Sequence, residues 1–214
     1  MLLNFIILNT ASMPQPARPI IQPNTYYHIY NRGVNRRTIF KGDGDYQRFL
    51  KLLGKYMEPV GSVLSYALMR DHFHLTVLMN PASAVPPKLL RTPHALGRTF
   101  SHLQNAYANY FNHKYNTVSG LFETPYERKE VTSLVYLRNL IVYHHRNPDK
   151  HGVEQGFKQY FWTSYQELSS PLVETHVAKA LTLSKFGGLE AFFAGHDAAI
   201  PLEMADFEFG GGQD

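Results

Sequence analysis

The sequence contains no cysteine. That excludes disulfides, thiolate metal sites and cysteine nucleophiles, and leaves His, carboxylate and amide groups as the available metal ligands. The lack of disulfides fits a reducing compartment, and a cytoplasmic location is expected. No stretch approaches the roughly 20 apolar residues that a membrane helix requires, so no span is expected. The apolar opening, Leu2 to Leu8, is interrupted by Asn4 and has no Lys or Arg before Arg18. It does not read as a secretory signal, and a start at Met13 with an upstream extension is the preferred reading. No glycine-rich phosphate-cradling loop is found, consistent with chemistry that needs no ATP. Neither charge sign dominates: 21 Lys and Arg against 17 Asp and Glu give a formal net charge of +4, which permits a polyanionic partner without requiring one.

What is present is globular. With 214 residues, 44% of them hydrophobic and 14% aromatic, the chain can bury one substantial core but not two full-sized ones. The expected organisation is an extended lead-in over residues 1–24, punctuated by four prolines, a domain over residues 25–168, and a C-terminal helical extension with a flexible tail over residues 169–214.

Periodicity supplies the elements. Tyr26 to Tyr30 is β-rich and runs into a turn signal at Asn31 to Gly33. The acidic cluster from Gly42 to Asp45 caps a helix whose apolar positions Tyr46, Phe49, Leu50, Leu53 and Met57 share one face. Pro59 and Gly61 stop it, a strand follows over Ser62 to Met69, and Arg70-Asp71 turns tightly into another strand over His72 to Met79. A helix is expected over Leu96 to Tyr115, with Arg98, His102, Asn105, Asn109 and His113 on its polar side. A further strand lies between Gly120 and Val131, kept at an edge or bulge by Pro125. A last helix, capped by Thr132 or Ser133, carries Leu134, Leu137, Leu140, Ile141 and His144 along one side and ends at Asn147, since Pro148 disfavours helical geometry before it. This order predicts an α+β fold, a ferredoxin-like antiparallel sheet with helices packed on one face and the last helix at the sheet edge.

Two short signals carry chemistry. In the strand from His72, a period of two puts Phe73, Leu75, Val77 and Met79 on a core face and His72, His74 and Thr76 on the opposite, open face. Two imidazoles at i and i+2 can share one metal ion, although a pair of partly exposed strand histidines would look the same. Tyr143 and Asn147 lie one helical turn apart on a face shared with Tyr136 and Asn139. Tyr143 reads equally as a hydrogen-bonded core tyrosine and Asn147 as a helix terminator before proline. Taken together, His72, His74 and Asn147 would make an open site suited to Mg²⁺ or Mn²⁺, with room for a phosphate oxygen.

Several stretches in this order resemble the HUH single-strand transposases, specifically the REP-associated tyrosine transposase branch of the IS200-like group. They are Tyr27 to Gly33 (YHIYNRG), Met69 to Val77 (MRDHFHLTV), Gly120 to Phe122 (GLF), Tyr143 to Gly152 (YHHRNPDKHG) and Trp162 to Tyr165 (WTSY), with an echo in Phe186 to Phe192. The resemblance spans roughly residues 25–168. It implies a nuclease and strand transferase that works on hairpin-flanked single-stranded DNA through a covalent 5′-phosphotyrosine. Tyr143 would be the nucleophile, and His72, His74 and Asn147 the metal ligands. At positions 70 and 71, Arg-Asp stands where relatives frequently carry Pro-Asn, so the turn before the metal strand departs from the family form.

Arg32, Arg36, Arg37, Arg128 and Lys129 are candidate contacts to the DNA backbone, and Tyr26, Tyr30 and Tyr126 candidate stacking platforms for unpaired bases. Relatives act as monomers or homodimers. Two other readings predict different behaviour: a noncatalytic single-stranded DNA or RNA-binding module would bind without metal, and a hydrolase using activated water would cleave without a tyrosine adduct.

Overall fold

The computed structural model describes residues 18–153, 156–173 and 175–198; the tail beyond residue 198 and all but the last seven residues of the expected lead-in lie outside them. In order, the elements are β1 (Tyr26–Arg32), α1 (Asp43–Met57), β2 (Gly61–Leu68), β3 (His72–Met79), α2 (Ala95–Tyr115), β4 (Glu127–Glu130), α3 (Leu134–Lys150), α4 (Tyr165–Ser169), α5 (Lys179–Phe186) and α6 (Leu189–Asp197). The strands form one antiparallel sheet in the order β2-β3-β1-β4. The first and second strands are thus joined by a helical crossover, with the third inserted between them, which is the ferredoxin-like arrangement. β4 occupies an edge, beyond the proline at position 125.

Register decides what each face carries. Pairing Ile29 with Leu75 and Tyr27 with Val77 stacks the apolar residues of β1 and β3 on one side. There Phe73 meets Phe49 of α1, and Phe49 meets Tyr107 of α2. The apolar stripe of α2, from Leu96 through Phe100, Leu103 and Tyr107 to Phe111, is buried, and its predicted polar positions are exposed.

Asp45 bolts α1 to α2. Its carboxylate accepts from the backbone N–H groups of Lys41 and Gly42, which closes the start of α1, and from Lys114, Tyr110 and Tyr115 of α2. Burial alone would raise this carboxyl, but those donors outweigh it and hold it below the ordinary carboxylate range.

The opposite face of the sheet departs from expectation in a way that matters for the site. It is not open: His28, His74, Thr76 and Ser65 on it are buried, and α3 lies across them, with His144 Nδ1 3.0 Å from Ser65 Oγ and 3.3 Å from Thr76 Oγ1. α3 therefore crosses the sheet's second face rather than its edge, and Leu134, expected on its inner side, is exposed at the helix start. Ser133 caps this helix through its hydroxyl, which accepts from Tyr136 N–H.

Nor does α3 stop at Asn147. It continues through Pro148 to Lys150, and the N–H groups of His151 and Val153 close the last turn on the carbonyls of Asn147 and Pro148. Proline forfeits only one N–H and constrains the residue before it, and within a final turn that cost is small enough for packing to override.

The elements after residue 168 back this layer. Ala178 N–H donates to Val63 O and the Thr182 hydroxyl to Leu64 O, which fixes α5 to the outer edge of β2. His145 of α3 pairs with His196 of α6 at 2.7 Å and with Ser164 at 2.8 Å. Arg138 of α3 donates to Lys185 O at the end of α5.

Candidate active site

A cleft of about 270 Å³ opens where the ends of β1 and β3 meet the C-terminal turns of α3; it is lined by Arg32, Arg36, Asp71, His72, His74, Tyr143, Lys150 and His151. Three strand and turn segments and one helix contribute, so no single local motif builds it.

From β3 come the two imidazoles. The Met69 to His72 turn is closed by reciprocal backbone bonds, Met69 N–H to His72 O at 2.8 Å and His72 N–H to Met69 O at 3.3 Å. It aims His72 and His74 to the same side, with ring centroids 5.2 Å apart. From α3, Tyr143 sets its ring edge-on to His74 at 5.6 Å, and Asn147, one turn further on, brings Oδ1 to 3.2 Å from His72 Nε2. The residues singled out from the sequence, His72, His74, Tyr143 and Asn147, are thus neighbours in space.

Two imidazoles and one amide oxygen are a donor set that could hold a divalent cation. Imidazole Nε2 of His72 and amide Oδ1 of Asn147 are neutral lone-pair donors 3.2 Å apart, near enough that one ion could take both. A second grouping lies behind it: His28, His74 and His144 offer ring nitrogens within 4.8 Å of one another. His28 and His144 are fully buried and do not line the cleft, so an ion among those three would be sealed from any substrate. Their position behind His74 suits support rather than turnover. His28 Nε2 contacts His74 Nδ1 at 2.9 Å. Burial drives His28, His74 and His144 well below the ordinary imidazole range, which keeps them neutral.

Electrostatics around Tyr143 are mixed. Burial pushes its phenol up to about 12, opposed by the adjacent Asn147 side chain. Lys150 Nζ stands 5.7 Å from the Tyr143 ring centroid, and burial lowers that ammonium from its ordinary value. Burial, together with nearby His72, likewise lowers His151.

The five basic residues predicted to touch DNA divide by position. Arg32 and Arg36 reach the cleft. Arg32 is braced by Glu123 at 2.8 Å. Arg36 sits with Asn35 in left-handed backbone, φ 55° and 54°, in a turn where a Cβ at Gly33 would collide with the Arg37 carbonyl. Holding a non-glycine residue there costs roughly 1–3 kcal/mol, and among the described residues the Arg36 guanidinium has no carboxylate within ion-pairing distance.

The others point elsewhere. Arg37 packs over Phe111 and donates to Ser119. Arg128 faces the α1/α2 side, bonded to Pro19 O and the Tyr126 hydroxyl. Lys129 lies opposite His28 on the cleft side of edge strand β4, outside the cleft lining. Two of the proposed stacking tyrosines are not presented to solvent. Tyr30 is buried against His28, and Tyr126 is buried with its hydroxyl on Gly97 O.

Lys150 and His151 were not singled out from the sequence. They follow Tyr143 by seven and eight residues, the spacing of one helix face, but a helix ending at Asn147 hides that relation.

Among solved structures, one described as a REP-associated tyrosine transposase bound to a REP hairpin is similar, with a TM-score of 0.55 over 77% of this chain and 90% of that one. At 13% identity that likeness establishes the fold, an α+β antiparallel sheet with helices. No curated protein matches significantly. A family model, "Transposase IS200 like", matches residues 21–133, just over half of the 214 residues, and the chain belongs to this family. It is a transposase, an enzyme that cleaves DNA. The matched residues hold β1 through β4 and both strand histidines, and they end one residue before α3.

Proposed function

We propose that the protein cuts and rejoins single-stranded DNA beside a hairpin, with Tyr143 as the nucleophile and His72, His74 and Asn147 holding a Mg²⁺ or Mn²⁺ ion. The observation that carries this reading is that Tyr143 and two imidazoles line one cleft that also receives Arg32, Arg36 and Lys150, with the buried Asn147 amide in contact with His72 behind its wall. The hairpin in the similar structure belongs to that protein, and the shared fold and family support hairpin DNA as the substrate class here.

When bound, the divalent ion supplies positive charge at a nonbridging phosphate oxygen. Arg36 and Lys150 hold the phosphate against the cleft wall and offset the charge that develops on it. Tyr143 Oη attacks phosphorus in line. An O–P bond to the phenol forms and the bond to the 3′ oxygen breaks, its electron pair leaving with that oxygen. The phenolic proton passes to solvent, and the departing 3′ oxygen takes one up. A second 3′-hydroxyl reverses the step, so the energy of the phosphodiester is conserved and strand transfer requires no ATP.

The test is incubation of the wild-type protein and a Tyr143→Phe variant with a labelled library of single-stranded hairpins and Mn²⁺. A denaturation-resistant protein–DNA adduct is expected with the wild type alone. No adduct across the library would overturn the reading, and cleavage by both proteins would make water the nucleophile.

A further inference from the structure

Asp71 is one of the two residues, with Arg70, at which this chain departs from the Pro-Asn form frequent in its relatives, and it is bound to a candidate metal ligand. Its Oδ1 lies 2.7 Å from His72 Nδ1, and the aspartate is part of the cleft wall while His72 is buried. An ionised carboxylate can only accept hydrogen bonds. The proton in this contact therefore sits on His72 Nδ1, and Nε2 is the basic nitrogen. That nitrogen is the one 3.2 Å from Asn147 Oδ1. The two ring nitrogens face opposite ways across the imidazole, so the carboxylate lies on the far side of the ring from the metal position.

His74 has a different partner. Its Nδ1 meets the neutral imidazole of His28, where either ring can be the donor and the tautomer is not dictated by charge.

We propose that Asp71 is a positioning residue that fixes the His72 tautomer and orientation with Nε2 toward the metal, and adds a negative charge that tightens divalent-ion binding. This rests on the metal site proposed above. Partners of this kind behind histidine ligands change metal affinity by about 10- to 100-fold when removed. Outside that contact, the Asp71 carbonyl accepts from Gly33 N–H, and Arg70, its neighbour, is turned away onto Thr38.

The test is Mn²⁺ binding to the metal-free protein, read by calorimetry and by the electron paramagnetic resonance of free Mn²⁺. Wild type, Asp71→Ala, Asp71→Asn and His72→Ala are compared, with thermal unfolding as the folding control. Asp71→Ala is expected to weaken binding about 10- to 100-fold. Asp71→Asn, which keeps an acceptor oxygen without the charge, falls between Ala and wild type. Nitrogen-15 NMR of metal-free Asp71→Ala is expected to show His72 redistributed between its two neutral tautomers.

Ala and wild type binding Mn²⁺ equally, while His72→Ala loses it, would overturn the role of Asp71 and leave the metal site standing. Loss as complete in Asp71→Ala as in His72→Ala would make Asp71 a direct ligand and also overturn it. Wild type and His72→Ala binding equally would instead remove the metal site itself.

Discussion

A tyrosine whose phenol is pushed up to about 12 by burial is almost wholly protonated at neutral pH, so the proposed reaction requires the ion, Arg36 and Lys150 to favour the phenolate in the reacting complex. While deprotonation limits the reaction, the population of phenolate grows tenfold per pH unit. Adduct formation under single-turnover conditions is therefore expected to rise log-linearly between pH 7.5 and 9, about tenfold per unit. A flat profile in quench-flow measurements would mean that a step other than phenol ionisation is limiting. The four central candidates were legible in the sequence because strand and helix periods confine them to one side each, and their order matched a known frame. Lys150 and His151 were not, because proline at position 148 masks a helix that continues past it. Asp71 was visible only as a departure from the family form. Its bond to His72 depends on a side-chain rotamer that no periodicity reports.

Among the elements, α1 and α2 were legible for the same reason that they are stable: each carries a continuous apolar stripe. Their junction is polar, however, and turns on one sealed carboxylate. Removing Asp45 strands two backbone N–H groups and unpairs Lys114, Tyr110 and Tyr115. Asp45→Ala is expected to cost about 3–5 kcal/mol in urea unfolding. Lys114→Ala, whose ammonium reaches solvent, should cost no more than about 1 kcal/mol; equal losses in the two variants would contradict this asymmetry. Because the Asp45 carboxyl is depressed in the folded state, its contribution is present above the ordinary carboxylate range and is lost as pH falls through the folded value. The placement of α3 was harder to read. Its buried side carries Tyr143, His144, His145 and Asn147 among the aliphatic residues, so the hydrophobic pattern alone gave no reason to lay it over the sheet's second face. Only the partners on that face, His28, Ser65, His74 and Thr76, explain how such a helix is accommodated.

Taken as a whole, the molecule keeps an unusual number of imidazoles in its interior. His28, His74, His144 and His145 are held well below the ordinary range by burial, and burial lowers His196 to about 4. Each is neutral in the folded protein and gains a proton readily once unfolded. Their contribution is thus fully present above about pH 6.5 and declines as pH falls toward the folded values. For His196 alone the loss between pH 7.5 and 5 is about 2 kcal/mol. Urea midpoints are expected to fall steeply over that interval, and His196→Gln to reduce the steepness; a pH-independent midpoint would contradict it. His196 also belongs to the segment after residue 168, which was read from sequence as an extension. In the fold, α5 and α6 brace α3 through Arg138 and His145. A stop codon just after Leu168 would spare every codon for a cleft residue and still remove the support of the helix that presents Tyr143. Counting intact motifs in a genome would therefore overstate how many copies of such a gene can act.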